Sequence, residues 1–188
     1  MRLAILIPTL PETYSINLLN RLNTILDPQI AKWHGQVTKH IHDAGRSMPT
    51  GTKRNELIRN TDSDYFVFVD SDDLVPSYYV DDLMRAISEG PDVVTFIGDM
   101  TTNGVNKRKF TIKLGEKYEE RNGEYFRYPN HISCVRREAV KGITFQPIWE
   151  REDFLWATEV MQRKVLKTEI HITRPMYLYD YITNKPKR

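Results

Sequence analysis

Apolar and polar positions change their period midway along the chain. Leu3-Ala4-Ile5-Leu6-Ile7 is a short continuous apolar run, the pattern of a strand covered on both faces in a parallel sheet. Leu18, Leu19, Leu22, Ile25 and Leu26 then recur on one helical face, which Pro28 is expected to end. Val37, Lys39, Ile41 and Asp43 alternate along a second strand. Gly45 to Gly51 reads as a loop, with Thr52 capping a short helix that carries Leu57 and Ile58. Tyr65-Phe66-Val67-Phe68-Val69 is the clearest strand. Pro76 then opens a helix in which Val80, Leu83, Met84 and Ile87 keep i, i+3, i+4, i+7 spacing, and Gly90 closes it. Asp92 to Ile97 completes a βαβαβαβ series, which predicts an α/β fold built on a doubly wound, mainly parallel sheet.

The second half reads differently. Asn103-Gly104 and Asn122-Gly123 are type I′ hairpin signals between strand-forming residues, so antiparallel hairpins are expected beside the parallel sheet. A helix from about Glu152 to Lys164 follows, then strands Glu169 to Thr173 and Met176 to Ile182. No repeat or linker interrupts the sequence, which predicts one domain over residues 1–188.

Composition narrows the class. With 40% hydrophobic and 28% charged residues the chain is neither a disordered tail, a collagen-like fibre nor a coiled coil. It has no run of eighteen apolar residues, so no membrane insertion is expected. The basic-then-apolar start resembles a signal peptide, but its apolar run stops at Pro8 and suits a first strand better. A single cysteine, Cys134, cannot form an internal disulfide, which places the expected compartment in the reducing cytoplasm. The net charge of +2 hides an asymmetry. Residues 61–100 hold ten acidic and one basic residue, a balance of −9, and the rest of the chain carries +11. The acids crowd the end of a very apolar strand, where open α/β sheets bind ligands. A divalent cation together with a polyanion would need both signs of charge.

Asp70-Ser71-Asp72-Asp73 ends the strand Tyr65 to Val69. If the extended backbone persists, Asp70 and Asp72 point to one side and can share a hard cation. The alternative is a cluster favouring the amino terminus of the next helix, a role that suffices for Asp73. Glu152-Asp153 offers two carboxylates at a helix start, either as a general base or as complements to the helix dipole. His131 is a candidate for positioning acceptor or phosphate, or a buried, hydrogen-bonded histidine. Arg136 and Arg137 either neutralise phosphate or lie solvated. Of the tryptophans Trp33, Trp149 and Trp156, Trp149 is the best stacking candidate because it lies beside Glu152-Asp153.

Five segments together resemble a known family. Ile5-Leu6-Ile7-Pro8-Thr9-Leu10, Lys53-Arg54-Asn55 and Tyr65 to Asp73 are similar to nucleotide-sugar glycosyltransferases of the GT-A fold, above all the large inverting class called family 2. Asn130-His131 with Val135-Arg136-Arg137-Glu138, and then Glu152-Asp153, follow in that family's order. The likeness runs from about Leu3 to Met161, and the compact form resembles the small versions carried by phages and giant viruses. It implies a nucleotide-binding half at residues 1–100 and an acceptor half at 101–182. Pro8, Thr9 and Leu10 would underlie the nucleotide base, and Asp43 would meet base or ribose. Lys53, Arg54 and Asn55 would lie near base and diphosphate, and Asp70 would contact the ribose. Asp70 and Asp72 would hold Mn²⁺ or Mg²⁺, and Asp153 would act as base, with His131, Trp149 and Glu152 toward acceptor or phosphate. The sequence departs from the family in carrying His42-Asp43-Ala44 where a doublet of acids is common. It has Leu178 where a late metal-binding histidine is expected, and His171 reads as a strand histidine.

The implied reaction moves a sugar from a nucleotide-diphosphate donor, UDP-linked by preference, to a hydroxyl of a glycan, a lipid-linked glycan or hydroxymethylated DNA. Three rivals are weaker. A haloacid-dehalogenase-like phosphohydrolase would carry its D-x-D near the amino terminus. A nucleotidyltransferase would carry a Gly-rich phosphate loop after the first strand. A basic nucleic-acid-binding protein accounts for the charge surplus but not for the ordered motifs.

Overall fold

The computed structural model describes residues 1–9, 13–181 and 183. Leu10, Ile182 and the Lys185 to Arg188 terminus lie outside the described residues. Among the described residues a nine-stranded mixed sheet forms the middle layer, in the order β2 (Val37–His42), β1 (Leu3–Pro8), β3 (Tyr65–Phe68), β8 (Cys134–Arg136), β4 (Val93–Thr102), β5 (Val105–Ile112), β7 (Glu124–Arg127) and β6 (Glu119–Arg121), with β9 (Glu169–Tyr181) paired to β4. Strands β1 (Leu3–Pro8), β2 (Val37–His42) and β3 (Tyr65–Phe68) are mutually parallel. β4 (Val93–Thr102) points the same way but does not touch β3. The short strand β8 (Cys134–Arg136) lies antiparallel between them. Cys134-Val135-Arg136 is too short to carry a periodic signal, so this insertion is not visible in the sequence.

The continuous apolar runs are buried on both faces, as their pattern requires. Leu3, Ile5 and Ile7 of β1 join Leu22 and Leu26 of helix α1 (Thr13–Ala31) and Leu83 and Ile87 of helix α3 (Tyr79–Ile87) in one core. Ala4 and Leu6 face the opposite core, with Leu57 of helix α2 (Thr50–Arg59) and Trp156, Ala157 and Val160 of helix α4 (Glu152–Arg163). The odd–even alternation of β1 thus sorts its side chains between two helical layers.

Several boundaries differ from expectation for local reasons. Pro28 does not end α1, which continues to Ala31. A proline so close to the helix end removes a single hydrogen bond and leaves only one further turn to distort. Helix α2 starts at Thr50, two residues ahead of the expected cap at Thr52. Its Gly51 lets the backbone lie against the 146–148 segment, where a Cβ would stand 1.8 Å from the Gln146 carbonyl oxygen. Pro76 precedes α3 by a turn in which the Tyr79 N–H donates to the Pro76 carbonyl at 3.1 Å.

Both hairpins form where Asn-Gly stands. Asn103 and Gly104 (φ 50° and 75°) join β4 to β5 (Val105–Ile112), and Asn122 and Gly123 (φ 52° and 77°) join β6 (Glu119–Arg121) to β7 (Glu124–Arg127). The two strands expected at the carboxyl end are one, β9 (Glu169–Tyr181). Its register against β4 shifts from Phe96↔Ile172 to Ile97↔Pro175, a bulge that absorbs a proline without ending the strand.

Candidate active site

The carboxyl ends of β1 and β3, the start of α4 and the end of β9 enclose a cleft with two adjoining compartments. The larger, about 510 Å³, is lined among others by Pro8, Thr9, Arg54, Asp72, Trp149 and Asp153. The smaller, about 230 Å³, is lined by Asp72, Asp73, Arg127, His131, Asp153 and Tyr177 among others. Asp70, Asp72, Asp153 and Tyr179 border both.

The acidic segment reaches this place by a turn. β3 ends at Phe68, and the Asp73 N–H donates to the Asp70 carbonyl at 3.0 Å, so period-two alternation does not continue to Asp72. Asp70 and Asp72 nevertheless face the same cleft. The turn is pinned from behind by β9, where Leu74 and Leu178 exchange backbone hydrogen bonds of 3.0 and 2.8 Å. Next to them the Tyr177 hydroxyl donates to Asp73 at 2.8 Å and accepts the Asp70 N–H at 3.1 Å. Asp73 is thereby a buried partner of Tyr177.

A chain of charged groups runs along the cleft floor. Arg54, 3% exposed, donates to Asp70 Oδ1 at 2.8 Å and to Glu152 Oε1 at 3.1 Å. The other Asp70 oxygen lies 3.3 Å from His131 Nε2, and His131 Nδ1 lies 3.5 Å from Asp153 Oδ2. Burial alone would raise the Asp70 carboxyl, but Arg54 and His131 outweigh it and hold the group well below the usual carboxylate range. Glu152 is shifted the other way: burial pushes it up, Arg54 pulls it back and Asp153 adds to the rise. Arg54 stays above its ordinary value, because Asp70, Glu152 and Asp153 overcome the cost of burying it. Burial, then Asp73 and Asp72, push the Tyr179 hydroxyl up to about 12.

Neighbours in sequence take different places here. Glu152 turns inward to Arg54, whereas Asp153, whose side chain is 36% exposed, faces the cleft. Arg151, just ahead of them, holds φ 67°, a left-handed backbone that a non-glycine residue adopts only under constraint. Arg54 reaches the cleft from α2. Lys53 does not line it; its ammonium is buried and donates to the Thr9 carbonyl at 2.9 Å, propping the end of β1. Asn55 holds both backbone groups of Phe145, at 2.8 and 2.9 Å. Asp43 follows β2 as an exposed residue and lines neither compartment.

Other candidates are placed away from the cleft. Arg136 is half-exposed and pairs with the buried Asp92, and Arg137 donates to the Ser63 and Ile58 carbonyls, both at 2.8 Å; neither faces the cleft. His171 sits on β9 with Nδ1 2.9 Å from the Thr95 hydroxyl, as a strand histidine. Trp156 stacks on Phe145 in the core, and Trp33 donates to Asp81 at 2.9 Å. Tyr177, Tyr179, Arg127 and Arg151 line the cleft as well and lie outside every motif named above. Tyr177, Tyr179 and Tyr181, spaced by two, were a usable signal that the last strand presents aromatics on one face.

The donor set suits a hard divalent cation. Among the described residues no group of three or more His, Cys, Asp or Glu is placed to hold a metal. Mg²⁺ is commonly held by one or two carboxylates together with substrate phosphates, and Asp72 with Asp70 at the mouth of two compartments meets that requirement.

The model of glycosyl transferase family 2 matches residues 28–150. The chain belongs to that family. Family 2 enzymes generally depend on a divalent metal. Solved structures agree on the fold. TarS of S. aureus, residues 1–349 in complex with UDP-GlcNAc, superposes with a TM-score of 0.66 at 15% identity, over 98% of this chain and 60% of that one. The same fragment with UDP gives 0.65 at 15% identity, over 96% and 60%. A TarS structure of greater length gives 0.61 at 16% identity, over 96% of this chain and 37% of that one. This family 2 chain thus spans between 37% and 60% of those chains, less than two thirds of each. No curated protein sequence matches it significantly.

Proposed function

We propose that this chain is an inverting glycosyltransferase that moves a sugar from a nucleotide-diphosphate donor, UDP-linked by preference, to an acceptor hydroxyl. One observation carries the reading: Asp153 stands at the junction of the two compartments, on the same cleft as Asp72, while its neighbour Glu152 is committed to Arg54. The larger compartment takes the nucleotide, over Pro8 and Thr9 and beside Trp149. Asp70 and Asp72 hold Mn²⁺ or Mg²⁺. When bound, the cation supplies positive charge against the negative charge that grows on the leaving diphosphate.

The chain's own residues supply the rest. Arg54 fixes Asp70 in place, and His131 bridges Asp70 to Asp153, so the donor-binding carboxylate and the base share one framework. Asp153 accepts the proton of the acceptor hydroxyl as its oxygen bonds to the anomeric carbon and the carbon–oxygen bond to the diphosphate breaks. Attack from the face opposite the leaving group inverts that carbon. Glu152 keeps Arg54 desolvated and immobile and takes no proton.

A glycan acceptor is preferred to DNA. Lys107, Arg108 and Lys109, the basic group expected to track phosphates, pair with Asp99, Glu120 and Glu124 at 2.8, 2.9 and 3.5 Å. A cytoplasmic setting fits the single, buried cysteine, and among the described residues no helix is long and apolar enough to cross a membrane.

Metal dependence tests the donor side. EDTA should abolish transfer from UDP-sugars and added Mn²⁺ or Mg²⁺ should restore it, while Asp72→Asn should lose transfer with an unchanged thermal melt. Full activity in EDTA would remove the metal from the reading.

A further inference from the structure

The smaller compartment holds an arginine whose N–H donors neither the proposed mechanism nor a carboxylate or carbonyl among the described residues employs. Arg127 closes β7, half-buried, with its guanidinium 5.5 Å from the centre of the Phe110 ring and 5.8 Å from that of Tyr118. Arg54 and Arg137, set into the body of the fold, and the half-exposed Arg136 each donate to a carboxylate or a carbonyl. Arg127 has no such acceptor among the described residues, although a guanidinium carries five donors in a rigid fork. Its guanidinium lies over two aromatic rings, a cation–π contact that uses none of its N–H donors, and it lines the compartment.

The acids of the compartment do not account for it. Asp70 is bound by Arg54 and His131, and Asp73 by Tyr177. Asp72 and Asp153 have the roles given above. A guanidinium with unused donors on the wall of a substrate-sized space is the group proteins use for a planar or tetrahedral anion.

We propose that Arg127 recognises an anionic group, a carboxylate or a phosphate, on one of the two sugars that meet at Asp153. The inference rests on the glycosyltransferase reading and names its substrate class: either the transferred sugar is a uronate, or the acceptor bears a phosphate or carboxylate.

Calorimetric titration separates the sources. In the donor arm, with Mn²⁺ present, UDP, a neutral UDP-hexose and a UDP-hexuronate are titrated into the wild type, Arg127→Gln and Arg127→Lys. In the acceptor arm, KM is compared for a neutral oligosaccharide and the same oligosaccharide carrying a phosphate or a uronate. A charge-assisted fork should favour the anionic ligand about tenfold or more in one arm. Arg127→Gln should collapse that anionic-to-neutral ratio to within about twofold, and Arg127→Lys should restore part of it. A ratio near one in both arms for the wild type overturns the proposal, as does a ratio that Arg127→Gln leaves intact. Failure of UDP itself to bind would instead bring down the UDP-donor reading on which the inference rests, so the two failures are distinct.

Discussion

Glu152 and Asp153 adjoin in sequence and differ in what their removal should do. Glu152 is buried against a buried guanidinium, and breaking such a pair costs about 3–5 kcal/mol because the remaining charge has no water to turn to. Glu152→Gln keeps the shape and one acceptor, so about 2–3 kcal/mol is expected in urea denaturation. Asp153 lies at the cleft surface, and Asp153→Asn should leave the unfolding free energy within about 0.5 kcal/mol of wild type, as surface changes do. Its effect should fall on chemistry: kcat lower by about 10²-fold or more, with UDP-sugar affinity nearly unchanged. The opposite pattern, with kcat lost on Glu152→Gln and kept on Asp153→Asn, would exchange the two roles. Adjacency in sequence could not separate these residues. The first helical turn of α4 aims them about 100° apart, and only the position of Arg54, a hundred residues earlier, decides which of them is buried.

At the scale of elements, the weakest sequence signals carry the assembly. Asp92, at the start of β4 and 4% exposed, accepts the Lys167 and Thr168 N–H groups at 2.7 and 3.0 Å and pairs with Arg136 of β8. It ties the start of β4 to β8 and to the chain entering β9. Burial alone would raise its carboxyl, but those backbone donors and Arg136 outweigh it and hold it below its ordinary value. A carboxylate depressed on folding contributes stability above its unfolded pKa of about 4, and that contribution is lost as the pH falls through the folded value. Asp92→Asn should therefore cost about 2 kcal/mol at pH 7, with Arg136 half-exposed and able to turn to water. The difference from wild type should shrink as denaturation is repeated at pH values descending below 4. A difference that stays constant down to pH 2 would show that the carboxylate's charge does not matter at this junction. The apolar runs made β1, β3 and the helical layers legible, and Asn-Gly made both hairpins legible, because each is a local rule. β8, three residues long, and the bulge that keeps β9 whole past Pro175 depend on pairings with distant strands, which no local period records. The site divides in the same way. Asp70, Asp72 and Asp153 could be read from motifs, whereas Lys53 and Asn55 proved to brace the backbone, and Arg127 and the tyrosines of β9 arrive by topology.

Over the whole molecule, the formal surplus of positive charge is a poor guide to partners. The +11 outside residues 61–100 looks like an electrostatic footprint for a polyanion until the cations of the basic hairpin are followed to their neighbours. Lys107 and Arg108 of the β4–β5 hairpin lie within 2.9 Å of acids, Lys109 within 3.5 Å, and Arg121 is paired with Glu116 and Glu119. A pair on the surface is worth little to stability, but it removes the cation from long-range attraction, since the field of a close ion pair falls off faster than that of a single charge. A duplex held by Z phosphate contacts loses affinity with a slope of about −0.9Z in log K against log salt. With the hairpin neutralised, we expect Z of about one or less from it, and no retardation of a hydroxymethylated duplex in a gel shift at 150 mM salt. The same preparation should transfer sugar to an oligosaccharide under those conditions. Tight duplex binding with a slope of about −3 or steeper would mean that Lys107, Arg108 and Lys109 leave their acids for phosphate. Charge reversal at Glu120 and Glu124 then discriminates further. Replacing them with lysine strengthens such a contact if the hairpin makes it, and leaves duplex affinity unmoved if the binding comes from elsewhere on the chain.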